Sequence, residues 1–149
     1  MQSSALVARI LLGLWFVHSG GMKIFGSGLD RFTRDVANYQ LVTAPWDAVA
    51  AYSVPWLELI AGTCLMLGIL RRGAILTIAG LVGVFAVSIG WAWNKGLDIS
   101  CGCLGGDAPI HYWAKAAELG GYALLLGWLW WMENRDPTSP AARPDALLP

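Results

Sequence analysis

Four stretches of this 149-residue chain are apolar and long enough to cross a lipid bilayer, and nothing else in the sequence restricts the fold so strongly. A spanning helix takes roughly 20 residues, and the stretches run at about 5–25, 48–70, 73–93 and 112–132. In hydrocarbon every backbone group must find its partner within the protein, which in so short a chain favours uninterrupted helices. The predicted fold is therefore all-α, a four-transmembrane-helix bundle forming one domain over residues 1–134. Composition agrees. The chain is 56% apolar and 13% charged, whereas soluble domains are near a quarter charged, and its mean hydropathy is +0.54. Net charge is zero and no basic run occurs, which argues against a nucleic-acid partner.

The first stretch begins Met1-Gln2-Ser3-Ser4, without a positive region before it or a small-residue cleavage site after it. It reads as a retained span rather than a removed signal. Between the first two spans, Phe32, Val36 and Tyr39 recur at three- to four-residue spacing while Arg31, Arg34 and Asp35 point elsewhere. That pattern predicts a short amphipathic helix at the membrane surface. The tail, residues 135–149, is rich in proline and mixed charge and reads as disordered. Trp91, Trp93 and Trp113 on one side, and Trp128, Trp130 and Trp131 on the other, are spaced as aromatic belts.

Orientation rests on basic residues, which favour the cytoplasmic side. Arg71-Arg72 lies in the short turn between the second and third spans. Placing that turn inside puts both termini in the cytoplasm and leaves five basic residues inside against four outside. The connection between the third and fourth spans then faces outward. It reads Ser100-Cys101-Gly102-Cys103-Leu104-Gly105-Gly106-Asp107 and holds two of the three cysteines.

Two thiols one residue apart are either a redox pair or half of a soft-metal site. A disulfide closed over so small a ring is strained and readily reduced, and Gly102 supplies the backbone freedom that closure requires. The outer compartment is one in which such a bond persists. The alternative is a non-enzymatic metal-handling or scaffold membrane protein, in which Cys101, Cys103 and His111 are partial ligands for Cu(I) or Zn. The third cysteine, Cys64, falls deep in the second span and reads as an inert small hydrophobe.

Ionisable groups inside a span face the bundle interior, a cavity or each other. At about 1.5 Å per residue, Glu58 falls near the midplane of the second span and His18 a little shallower on the first. Lys115 and Glu118 share a face at the start of the fourth. These four groups are expected together in the outer half of the bundle, beneath the cysteine connection, as a proton-transfer site or as the surroundings of a quinone near His18, Glu58 and Lys115. Arg9 reads as an anchor or an inter-helix partner near the inner face.

These residues resemble the MauE branch of the DoxX-like membrane proteins. The first span reads Arg9-Ile-Leu-Leu-Gly13 … Phe16 … Ser19-Gly20 … Lys23, and the next segment Phe32 … Val36-Ala-Asn-Tyr39-Gln-Leu41. The second span carries Pro55-Trp-Leu-Glu58 … Gly62 … Gly68, and the connection Cys101-Gly-Cys103-Leu-Gly105, where the family usually has Phe in place of Leu104. The resemblance covers about Arg9 to Met132. It implies a bacterial inner-membrane protein of four helices with functional roles for Arg9, Lys23, Glu58, Cys101 and Cys103. The family member that names the branch is associated with maturation of the disulfide-rich small subunit of methylamine dehydrogenase, together with a thioredoxin-like partner. For this chain the resemblance implies a thiol-disulfide oxidoreductase role beside a periplasmic thioredoxin-like protein and a disulfide-containing client, whose identity does not carry over. A single cysteine pair fits a partner-dependent carrier better than a self-contained quinone-coupled oxidase, which commonly has two.

Overall fold

The computed structural model describes residues 2–97 and 111–135, all of it helix and short connection, with no strand among the described residues. Helix α1 (Gln2–Gly21) continues directly into a π-helical turn, Met22–Gly26. A short helix α2 (Leu29–Asn38) follows, then three long ones: α3 (Trp46–Leu67), α4 (Arg71–Lys95) and α5 (Tyr112–Arg135). Met1, residues 98–110, which include both cysteines of the Cys-Gly-Cys sequence, and residues 136–149 lie outside the described residues, as does the expected disorder of the tail.

Two glycines set where helices end. Gly68 (φ 71°) and Gly96 (φ 62°) sit in the left-handed region, which other residues enter only under strain. Each closes its helix with a paired cap: Ile69 N–H donates to the Cys64 carbonyl at 3.0 Å and Leu97 N–H to the Ala92 carbonyl at 3.1 Å. The cap at Gly68 stops α3 before Leu70, where the apolar run had suggested it would end. Arg71 and Arg72, expected in the turn, instead begin α4.

The expected amphipathic helix is α2. Its Phe32 is buried, Arg34 and Asn38 are exposed, and it packs on α3 and the π-helical turn. The core joins all four long helices through Leu12 and Phe16 of α1, Ala61 and Leu65 of α3, Ile75 and Ile78 of α4, and Leu126 and Leu129 of α5. Many large apolar side chains face outward, among them Leu11, Leu76, Val87 and Leu124. That arrangement suits lipid as the solvent, because the bilayer rewards exposed apolar surface.

Among the described residues three helices are long and apolar enough to cross a membrane: Ser4–Gly26, Trp46–Leu67 and Arg71–Lys95. Helix α5, the fourth expected span, has 24 residues but is not among them, since Lys115, Glu118, Glu133 and Arg135, with several Trp, Tyr and Gly, lower its hydropathy. It runs antiparallel beside α4 and is tied to it at both ends. Arg71 at the start of α4 pairs with Glu133 near the end of α5 at 3.4 Å. At the other end the Tyr112 hydroxyl donates to the Leu97 carbonyl and its ring stacks on Trp93, 5.8 Å between centroids.

Candidate functional site: a buried ion pair and a polar chain

The site begins with the π-helical turn. A π turn adds a residue to the helical repeat and re-aims the side chains that follow, and such turns recur at functional sites. Here the turn carries Lys23, which is 1% exposed. Its Nζ donates to both oxygens of Glu58, at 2.6 and 2.7 Å, and Glu58 is likewise 1% exposed. Ser19, one helical turn before Lys23, directs its hydroxyl to Glu58 Oε2 at 3.4 Å. The ammonium also lies 5.1 Å from the centroid of Phe32 and 5.0 Å from that of Phe85. Lys23 is thus held by α3 through charge and by α2 and α4 through ring faces, which attract cations.

The backbone is built to bring these groups together. A Cβ added at Gly20 would meet the Pro55 carbonyl oxygen at 2.6 Å and Glu58 Cβ at 3.2 Å, so α1 and α3 touch backbone to backbone beside the pair. Two charges so fully buried are tolerated only when each is paired and its remaining hydrogen-bonding capacity met.

A second polar group lies on α5. Lys115 Nζ contacts Glu118 Oε2 at 2.6 Å, and the Tyr122 hydroxyl donates to Glu118 Oε1 at 2.8 Å. Both groups line one small cavity of about 50 Å³, bounded by Ser19, Lys23, Glu58, Lys115, Glu118 and Tyr122 among others. One turn beyond Lys115, Trp93, Tyr112 and Trp113 form an aromatic cluster at the base of the cysteine connection.

Of the residues singled out from sequence, Lys23, Glu58, Lys115 and Glu118 border this one cavity. His18 does not join them. It is exposed, 6.4 Å from Trp15 between ring centroids, because successive helical residues turn by about 100° and it is Ser19 that faces inward. Arg9 is half-buried on α1, and its Nε has no hydrogen-bond partner among the described residues. Cys64 packs against the core near the end of α3. His111 is exposed just before α5, and its proposed co-ligands, Cys101 and Cys103, lie outside the described residues. Among the described residues no three His, Cys, Asp or Glu side chains are grouped to hold a metal.

Sequence reasoning missed Ser19, Phe32, Phe85 and Tyr122 as parts of the site. Ser19 and Tyr122 stood four residues from Lys23 and Glu118, the spacing that puts two side chains on one helix face. Phe32 and Phe85 had no such signal. The cavity beside Glu58 and Lys115 is about 50 Å³, room for a few water molecules. Ligand-sized space of about 700 Å³ lies between α4 and α5, along Gly83, Ala86, Gly90, Gly120, Ala123 and Gly127.

No curated protein and no solved structure matches the chain. The family model of methylamine utilisation protein MauE matches residues 1–132, nearly the whole chain, including both cysteines, the buried pair and the polar chain of α5. With three helices fit to cross a bilayer, this is a membrane protein, and it belongs to the MauE family.

Proposed function

We propose that this chain is a thiol–disulfide exchange protein of the bacterial inner membrane, with Cys101 and Cys103 as its reactive pair on the periplasmic face. The observation that carries the reading is the base of the connection holding those cysteines. Leu97 and Tyr112 are tied together across its ends, Trp93 and Trp113 pack beside them, and the Lys115–Glu118 pair follows within two turns. A reactive thiol is activated by nearby cationic groups, and Lys115 stands at the end of the bundle from which the cysteine connection leaves.

In exchange with a thioredoxin-like partner, a thiolate of one protein attacks a sulfur of the other's disulfide. A mixed disulfide forms, and the second thiol of the attacking pair displaces it, so two electrons pass and one dithiol replaces the other. The partner in turn serves a disulfide-containing client. An isoprenoid quinone would be held by the apolar walls of α4 and α5 and would supply a two-electron acceptor.

In the same reading α5 is a fourth span, because its two ends are fastened to the two ends of α4. Arg71, Arg72 and Arg135 then gather at the cytoplasmic end with both termini, and the cysteines face out.

Trapping tests the reading. In Cys101→Ser or Cys103→Ser protein carrying Cys64→Ala as well, one thiol of the pair remains to form a mixed disulfide that cannot be resolved. One of the two variants is expected to accumulate a reducible adduct with a periplasmic thioredoxin-like protein. No adduct with either variant, and exported proteins keeping their disulfides when the chain is deleted, would sink the proposal.

A further inference from the structure

The small cavity joins two charged groups of unlike burial. Lys23 and Glu58 are sealed from outside at 1% exposure each, while the side chains of Lys115 and Glu118 are 19% and 32% exposed. Ser19 and Tyr122 complete its polar lining, and α4 contributes only Val82, Phe85 and Ile89. A void of about 50 Å³ with several hydrogen-bonding groups around it meets the requirements for internal water, which needs room for one molecule and two to four polar partners.

We infer that this cavity is a hydrated proton chamber linking Glu118, at the end of the bundle that bears the cysteine connection, with Glu58 in the interior. The inference rests on the proposed thiol chemistry only for its purpose, a proton store for thiols that ionise and re-protonate. Its step is a proton transfer. The Glu118 carboxylate accepts a proton from the outer solution and passes it to chamber water, and the water passes it to the Glu58 carboxylate. Glu118 returns to its ionised form, Glu58 becomes neutral, and no electron moves. Lys23 keeps its charge throughout, and the faces of Phe32 and Phe85 stabilise the ammonium when Glu58 is neutral. Tyr122 orients Glu118 through its hydrogen bond and is a positioning residue.

Two measurements on the full chain in lipid nanodiscs test this. X-ray radiolytic labelling reports water near side chains. Phe16, which lines the chamber and is 5% exposed, is expected to label several-fold faster in the natural protein than in Ser19→Leu, whose added side chain fills the space. Infrared spectroscopy during acidification is expected to show a protonated-carboxyl band that is missing from Glu58→Gln. The exchange of that proton in deuterated buffer should slow at least about tenfold in Glu118→Gln. Equal labelling of Phe16 with the chamber open or filled, or exchange indifferent to Glu118→Gln, overturns the inference. If Ser19→Leu does not fold, the exchange measurement decides alone, since Glu118 is only partly buried. Neither measurement involves a thiol, so cysteine exchange can fail while the chamber stands, and the reverse.

Discussion

At the residue scale, the Lys23–Glu58 pair is where the chain takes its greatest energetic risk. Removing one member leaves the other charge buried and unpaired, which typically destabilises by about 3–5 kcal/mol. Lys23→Met and Glu58→Leu should each therefore lower resistance to unfolding in mixed micelles by an amount of that order. The double variant, which replaces both charges with apolar groups, should recover much of the loss. A double variant as unstable as the two singles added together would give zero coupling energy and would mean that the two charges do not stabilise each other. Phe85→Leu, which removes one ring face from the ammonium, should lose about 0.5–2 kcal/mol in the same assay. Glu58 was legible in the sequence, because an ionisable residue inside an apolar stretch stands out, whereas Lys23 was singled out only through the family resemblance. Their pairing was not legible, since they are 35 residues apart and only the packing of α1 on α3 makes them neighbours. His18 shows the complementary limit. A depth estimate fixes the height of a residue but not its azimuth, and one position along α1 separates an exposed imidazole from the inward hydroxyl of Ser19.

At the element scale, α1 and α3 hold together through glycine. A Cβ at Gly13 would meet the Gly62 carbonyl oxygen at 2.7 Å and Met66 Cγ at 2.5 Å, and one at Gly62 would meet the Gly13 carbonyl oxygen at 2.7 Å. Close backbone approach of this kind drives helix association in lipid, where apolar burial gives no advantage over the bilayer itself. Gly62→Ala must therefore push two backbones apart and should destabilise by about 1–3 kcal/mol. Gly80→Ala, whose Cβ would meet nothing within 4 Å, should be neutral or slightly stabilising. Unfolding midpoints of the two variants side by side check the contrast, and equal effects would mean that the α1–α3 contact does not hold the bundle. The existence of the elements was legible because long apolar runs and the Phe32–Val36–Tyr39 spacing are strong periodic signals. The π-helical turn was not, because an extra residue in a helical repeat leaves no mark on hydropathy, yet it is this turn that presents Lys23.

At the scale of the whole molecule, the question is how many times the chain crosses the bilayer. Hydropathy selects three helices, and the proposed fourth falls short because indole, phenol and glycine score poorly on such scales although membrane helices accept them readily. Packing argues for four. Helix α4, with 25 residues, is about 37 Å long at 1.5 Å per residue, enough to cross the hydrocarbon core. Helix α5 is fastened to one end of it by Arg71–Glu133 and to the other by Tyr112, which supports the proposal that α5 crosses beside α4. The outward face of α5 is also apolar, with Leu124 79% exposed, which suits a lipid-facing helix and not one lying on the surface. In a background lacking the native cysteines, single cysteines introduced as Ser4→Cys, Asn38→Cys, Asn94→Cys and Asn134→Cys sample four exposed positions near the helix ends. An impermeant maleimide added to intact spheroplasts should label Asn38→Cys and Asn94→Cys. It should reach Ser4→Cys and Asn134→Cys only after the membrane is opened. Labelling of Asn134→Cys together with Asn94→Cys would mean that α5 returns to the same face, and the ties at its two ends could not both survive in the membrane. Labelling of Ser4→Cys and Asn134→Cys alone would keep four spans but invert them, and would put Cys101 and Cys103 in the reducing compartment, where a disulfide-forming role has no oxidising surroundings to sustain it.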